Sequence, residues 1–405
     1  MRRILLLLSA VILLLPLSCA RRGCTSVDMD RLSLIDSVVY ASIENGDIPG
    51  AVVGIVHDGK LVYKKAYGSK RLVPYEEAMT TETMFDLASV SKCVGTTIAI
   101  MQLAERGIIR LTDQVRYYIP EFQPWKEPKT GVKDHITIQD LLTHSSGLDP
   151  FLRDVPKYVE IYGAGTPDSL VNYIATKSQR NFKPGTDVMY SCLNFIILQN
   201  ILERVTGERL CDYAQKNIFD ALDLKHTTYF PVYSPAHPEL AELCAPTEML
   251  GDSTVLQAQV HDPTARIVNL GNSGNAGVFS DVEDLAVICN ALMNGGEWNG
   301  HRILSPLAVN RMFTIPADND PKVARSLGWD TYDLSPYLCG DIFNASTCRG
   351  HTGYTGTSVL MDLETSTAVI ILSNRVHPTD TGSIVRMRSK IASITASAIC
   401  LRGAK

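Results

Sequence analysis

The chain predicts an α/β (α+β) fold in which an antiparallel sheet is assembled from both chain ends, is flanked by helices and carries an inserted helical region. Three observations predict it. Ala51-Val52-Val53-Gly54-Ile55-Val56-His57 and the run from Lys60 to Tyr67 read as strands joined by Asp58-Gly59, a strong hairpin turn. A second strand pair, Thr357 to Met361 and Thr367 to Ser373, brackets the turn Asp362-Leu363-Glu364-Thr365-Ser366 near the C-terminus. Between the two pairs, residues 108–345 read mostly as helix and loop, rich in Pro, Gly and polar turns. A cut at the midpoint would leave neither half with a core, so residues 29–405 are expected to form one domain.

Arg2-Arg3 precede an apolar run from Ile4 to Leu17 that is too short to span a membrane and is shaped as a signal peptide. Residues 1–19 therefore read as a lipoprotein-type signal, with Cys19 after Pro16-Leu17-Ser18 as the lipidated residue and 20–28 as a linker. Ordinary cleavage after Ser18-Cys19-Ala20, a small-x-small site, is the alternative; either ending implies export. Residues 29–45 show helical periodicity that stops near Gly46. Gly54 to Lys60 fits the first seven positions of a phosphate-binding loop, but Leu61 stands at the Ser/Thr position, and the hairpin reading prevails. From Cys93 to Ala104 there is no charge, and a helix apolar all round is a buried helix, so 89–106 is expected inside the core. Ile136 to Leu142 reads as a short amphipathic helix entering the turn Thr143-His144-Ser145-Ser146-Gly147. Asn194 to Thr206 is a helix ended by Gly207, and Val282 to Met293 another ended by Gly295-Gly296. A last amphipathic helix covers about 383–401.

The 405 residues carry 38 basic and 43 acidic side chains, a net charge of −5, with no basic block, which excludes a nucleic-acid partner. Ten cysteines in an exported chain permit disulfides. With Cys19 lipidated nine remain, so at least one stays unpaired. Cys93, Cys211, Cys289 and Cys400 lie in helical apolar patterns and read as core, whereas Cys339 and Cys348 flank a short polar segment and are expected to bridge. No Cys/His spacing reads as a metal site, and no cofactor is implied.

The chemistry centres on Ser89-Val90-Ser91-Lys92. A Ser and a Lys three residues apart share a helix face, so the amine reaches the hydroxyl. A single such match arises by chance in a chain this long, and an ordinary helix start with a surface lysine is its bland explanation. Here no other lysine follows a serine at that spacing, and the uncharged run places Lys92 at the mouth of a core helix. Desolvation there is expected to depress its pKa and make it a usable base. Ser89 would profit from the free N–H groups at the helix start. Two further segments join it. Phe182-Lys183-Pro184-Gly185 leads into Tyr190-Ser191-Cys192 before a helix, and Gly350-His351-Thr352-Gly353-Tyr354-Thr355-Gly356 opens a strand, where glycines mark close approach of a backbone or ligand. Taken singly, a Tyr at such a loop is usually structural, and a lone His is usually a hydrogen-bonded core residue.

Together, Ser89/Lys92, Tyr190 and His351-Thr352-Gly353 resemble in order and spacing the serine β-lactamase and penicillin-binding-protein superfamily. The fit is closest to its class C β-lactamase and D-alanyl-D-alanine carboxypeptidase branch, of the penicillin-binding protein 4B type. Supporting phrases are Phe85-Asp86-Leu87-Ala88-Ser89, Asp140 to Leu148, Val260-His261-Asp262, Asn275 to Ser280 and Leu372-Ser373-Asn374-Arg375. The resemblance implies a β-lactamase/transpeptidase-like fold over residues 30–400. It implies that Ser89 attacks a carbonyl to give an acyl-enzyme, with Lys92 and Tyr190 relaying its proton. Backbone N–H groups of Ser89 and Tyr354 would form the oxyanion hole. His351, Thr352 and Gly353 would hold the substrate, through a carboxylate.

Two positions depart from the family pattern. Cys192 stands where the second element usually has Asn, and a thiol donates and accepts more weakly than an amide. Asn194 is two residues on and need not face the site. His351 replaces the usual Lys and pulls less on a carboxylate when neutral. Both changes argue against an efficient β-lactamase. The expected activity is that of an exported D-alanyl-D-alanine carboxypeptidase-like hydrolase of cell-wall peptides, periplasmic and anchored to the membrane through Cys19, with β-lactams as covalent ligands. A carboxylesterase or D-amino-acid amidase on the same site, a β-lactamase and a non-turning-over penicillin sensor are the alternatives.

Overall fold

The computed structural model describes residues 26–331 and 336–400. The signal segment and Cys19 lie outside the described residues. Six strands form the main sheet: β1 (Gly50–His57), β2 (Lys60–Arg71), β3 (Glu77–Ala78), β4 (Cys348–Thr352), β5 (Ser358–Asp362) and β6 (Thr367–Ser373). Their order is β4-β5-β6-β1-β2-β3, antiparallel throughout. The join between the two chain ends is β6 on β1, with Val53 opposite Ile371 and Ala51 opposite Ser373. Asp58 and Gly59 at the β1–β2 turn have φ of 46° and 77°, the two positive angles that a tight hairpin of this twist requires. The hairpin reading over the phosphate-loop one holds.

Every residue of β1 is buried, and its alternation sorts them between two cores. Val52 and Val56 face the larger core, with Val359, Met361, Ile370 and Leu372 from the C-terminal strands. There they meet the helices of the inserted region, including α2 (Ile98–Glu105), α3 (Ile138–Leu142), α4 (Cys192–Thr206) and α5 (Val282–Met293). Ala51, Val53 and Ile55 face the smaller core, closed by α1 (Leu34–Glu44) and the last helix α6 (Val385–Ala398). The sheet is thus covered on both faces, as expected.

Several boundaries and pairings differ from the sequence reading, each for a local reason. Helix 29–45 is broken at Ser33 into two pieces, Met29–Leu32 and α1. The short helix at 138–142 is buried on all sides and is fixed by a capping box between Thr137 and Asp140, so its polar members face protein partners. The expected helix 89–106 is buried but not uniform: a 3₁₀ turn Ala88–Val90 leads into a π-helical segment Lys92–Thr97 and then α2. Cys339 and Cys348 are not bridged. Both thiols are buried in the smaller core and interact side by side, and the polar segment between them is held by its own Asn344 cap at Ser346. Cys93, Cys211 and Cys289 are core residues, while Cys400 is exposed because it lies on an edge pair, Ser26–Val27 with Ile399–Cys400, after α6 has ended. Among the described residues no helix is long and apolar enough to cross a membrane.

Candidate active site

Ser89 sits on a loop pinned from three sides. The short strand Phe85–Asp86 pairs with Val278–Ser280, and the buried Asp86 carboxylate accepts the backbone N–H of Ala88 (2.8 Å) and of His261 (2.7 Å). Burial pushes the Asp86 pKa up, and the two backbone donors oppose it. Thr355 Oγ1 donates to Asp86 O (2.7 Å) and Thr357 Oγ1 to Leu87 O (2.9 Å), which ties the loop to the turn after β4. Ala88 takes φ of +45°, a left-handed conformation that costs a non-glycine residue energy and is held by these ties. Gly353 explains the glycine in the strand: a Cβ there would lie 2.4 Å from Leu87 O and 2.1 Å from Thr357 Oγ1. The close approach is to the loop that carries Ser89.

Lys92 is wholly buried, and its ammonium has three acceptors: Ser89 Oγ at 2.9 Å, Asn275 O at 2.7 Å and Cys192 Sγ at 3.6 Å. Its Nζ stands 5.2 Å from the centre of the Tyr190 ring and 5.7 Å from that of Phe195. The π-helical segment begins at Lys92, a distortion often found at functional sites. Burial pulls the Lys92 pKa down, as expected, but Cys192 and Tyr190 in their anionic forms push it up further, with Asp262 adding to them. The net shift is upward, which overturns the expected depression. Desolvation was legible in the apolar run; the neighbours that outweigh it come from other elements.

Tyr190 opens to solvent on one side, 37% exposed, while its hydroxyl interacts with Ser89 and Lys92. Burial pushes its pKa up to about 12 against the pull of Lys92. Burial likewise raises the Cys192 thiol. At neutral pH the cluster therefore rests as an ammonium, a phenol and a thiol. Tyr190 is placed by the turn at Thr143–Gly147. His144 accepts Ser191 N–H at Nδ1 (3.0 Å), its carbonyl accepts Met189 N–H (2.9 Å), and its ring lies 4.3 Å from the Tyr190 ring. Asn194 is turned away from Ser89: it accepts from Ser146 Oγ (2.6 Å) and contacts His144 Nδ1 (3.2 Å). Cys192 alone represents the third position of the second element at the lysine.

His351 is 2% exposed and hydrogen-bonds the carbonyl of Thr352 at 2.8 Å through Nδ1, which must then carry the proton. Nε2 has no partner. Burial drives its pKa down to about 4, opposed by Asp330 and assisted by Lys92 and Arg325. In the free site the ring is therefore neutral near pH 7. Besides the Lys92 ammonium, positive charge in the site comes from arginines to which the sequence reading gave no role. A cleft of about 640 Å³ runs beside Ser89, Tyr190 and His351, and Arg325, Arg375 and Arg388 line it. Arg325 pairs with the buried Asp330, and Arg375 with Asp380 (2.6 Å). A signal existed for Arg388, since it falls within the apolar face of the last helix between Ile384 and Ile391. Thr352, Gly353 and Tyr354 line the same cleft, and the Tyr354 side chain is exposed, stacked 5.7 Å from His261 and 4.9 Å from the Arg375 guanidinium.

The Beta-lactamase family model matches residues 35–392 of this chain. The chain belongs to the Beta-lactamase family. It is 31% identical over 368 residues to the N-acetylmuramyl-L-alanine amidase of Bacillus subtilis (strain 168), covering 86% of this chain and 81% of the relative. An Escherichia coli (strain K12) protein named as a candidate D-alanyl-D-alanine carboxypeptidase is 29% identical over 373 residues, with 86% and 83% covered. Among solved structures, EstCE1, a hydrolase with promiscuous acyltransferase activity, superposes with a TM-score of 0.69 at 22% identity over 91% of this chain and 99% of that one. The octameric penicillin-binding protein homologue from Pyrococcus abyssi gives 0.65 at 20% identity over 89% and 76%. The β-lactamase/transpeptidase-like fold and membership of the serine β-lactamase and penicillin-binding-protein superfamily are thereby shown, and with them a hydrolase scaffold. Fold and family leave the substrate open, because one scaffold serves many.

Proposed function

We propose that this protein is an exported serine hydrolase that forms an acyl-enzyme on Ser89 and acts as a D-alanyl-D-alanine carboxypeptidase on cell-wall peptides. The observation that carries the chemistry is the buried Lys92 ammonium 2.9 Å from Ser89 Oγ beneath an open cleft. In this reading the reactive form is the minor one that has lost the Tyr190 proton to solvent; Ser89 Oγ then attacks the substrate carbonyl while its proton passes to the Tyr190 oxygen beside Lys92. The backbone N–H groups of Ser89 and Tyr354 receive the developing oxyanion. Collapse expels the leaving amine, which takes the proton back from Tyr190. Water then repeats the sequence on the acyl-enzyme. The cell-wall assignment draws on the relatives' names and on the arginine-lined cleft, which suits a substrate with a free carboxylate. Export rests on the sequence of residues 1–19, with Cys19 as lipid anchor; metabolic labelling with palmitate, lost in Cys19→Ala, tests it. A fluorescent penicillin should label the wild type as a covalent ligand and fail to label Ser89→Ala. Mass spectrometry of products from purified muropeptides should show loss of the terminal D-alanine.

A second reading has its own support. Neutral His351 and Cys192 in place of an amide both weaken recognition of a peptide bearing a carboxylate, which favours an ester or simple amide substrate. Turnover of a short-chain ester with no release of D-alanine from muropeptides selects that reading.

A further inference from the structure

We infer that Arg388, on the C-terminal helix, positions and polarises the peptide group that supplies the Tyr354 oxyanion donor. Its Nη2 donates to Thr357 O at 2.8 Å and to Gly353 O at 3.3 Å. The second acceptor is the informative one. The carbonyl of Gly353 and the N–H of Tyr354 are the two ends of one planar peptide unit. A cation hydrogen-bonded to the oxygen draws charge through the amide and makes the N–H a stronger donor, as chains of hydrogen bonds polarise one another. Gly356 N–H donates to the same carbonyl at 3.1 Å, so the oxygen is held from two directions.

The setting favours a full electrostatic effect. Arg388 is 5% exposed and makes no ion pair among the described residues; the ionisable neighbours acting on it are Tyr337 and the cationic Arg375, in opposite directions. Burial lowers its pKa to about 10, which leaves it protonated at neutral pH. A buried cation hydrogen-bonded only to carbonyls keeps its charge for whatever develops nearby, and in this cleft that is the oxyanion. The Thr357 contact adds position: Thr357 O also receives Gly353 N–H at 2.7 Å, and Thr357 Oγ1 reaches Leu87 O. The guanidinium therefore braces the turn that faces the Ser89 loop.

This inference rests on the acyl-enzyme reading, and its test separates the two. Wild type, Arg388→Met and Arg388→Lys are acylated with an aryl cinnamate ester carrying ¹³C at the carbonyl, and the adduct is located by mass spectrometry. The acyl carbonyl stretch is followed by isotope-edited infrared difference. Arg388→Met should lower the acylation kcat by about tenfold or more with KM within about twofold, since the loss falls on the transition state. Its carbonyl band should move to higher frequency, because weaker donors polarise the bond less. Arg388→Lys should recover part of both. An unmoved band and unchanged kcat in Arg388→Met overturn the inference while leaving the Ser89 adduct intact. If Arg388→Met does not fold, the band in Arg388→Gln, which keeps a donor but no charge, decides: one identical to wild type overturns it. Absence of any Ser89 adduct in the wild type rejects the acyl-enzyme reading and the Arg388 role with it.

Discussion

Two residues set the pH behaviour of this site. Lys92 with a raised pKa and Tyr190 near 12 mean that the base form is scarce at neutral pH and increases as protons are removed. The acylation rate, measured as kcat/KM for an activated ester, should therefore climb from pH 6 to pH 9 without reaching a plateau. A bell centred near neutrality would show that the cluster loses its proton earlier. Tyr190→Phe keeps the ring packing against His144 and should reduce acylation by about 10²-fold or more, the usual scale of a lost acid–base group. His351 works the other way round. Its pKa of about 4 in the folded chain lies below the ordinary ~6.5, so the unfolded chain binds the proton first as pH falls. Stability is complete above pH ~6.5 and declines between there and about pH 4, by about 3 kcal/mol from this residue. Urea midpoints of wild type and His351→Gln at pH 7.5, 5.5 and 4.5 should converge on acidification. KM for a free-carboxylate substrate should stay flat from pH 6 to 8, and a rise across that range would restore a protonated His351.

The element that governs reactivity is the junction between β4, its following turn and the Ser89 loop. Gly353 is the residue it cannot change. In Gly353→Ala the new methyl group would overlap Leu87 O and Thr357 Oγ1, so the turn must move off the loop. A displacement of about 1 Å at a reacting centre costs about 10²-fold in rate. The expected outcome is a protein that folds, unfolds at lower urea and acylates about a hundredfold more slowly. Acylation at the wild-type rate would mean that the loop tolerates the separation. The 3₁₀ turn and π-helical segment on either side of Ser91 belong to the same junction, with Ser91 Oγ accepting Val278 N–H at 3.0 Å. The long helix expected from 89 onward is the average of these irregular pieces.

At the scale of the molecule, segments from the N-terminal and C-terminal parts of the described chain build the sheet together. The β1–β6 pairing closes the sheet, and α6 covers its outer face with Met387, Ile391 and Ala392. Ending the chain at residue 384 should expose that face and yield an insoluble product, while the inserted helical region alone should not fold. Ile391→Ala, in the full chain, is expected to cost about 2–5 kcal/mol, read as a lower urea midpoint at an unchanged slope. A truncated chain that stays soluble with a cooperative transition would show that α6 is dispensable.

The sequence by itself determined the strand pairs, read at 51–67 and 357–373, the uncharged buried run after Ser89, and Ser89, Lys92, Tyr190 and His351 as candidates for one site. Period-two alternation, turn chemistry and apolar runs are local properties, and the structure places all four residues around one cleft. The tertiary structure decided what surrounds them. Cys192 and Tyr190 come from one segment and Asp262 from another, and together they reverse the direction that burial alone gives Lys92, while Asn275 O accepts its hydrogen bond. Arg325 and Asp330 arrive beside His351 from a loop, and Arg388 from the last helix, nearly forty residues along the chain. Cys339 and Cys348 lie next to each other as thiols in a packed core. A pKa or a local charge is set by every group packed against it, and those groups are brought together only by folding.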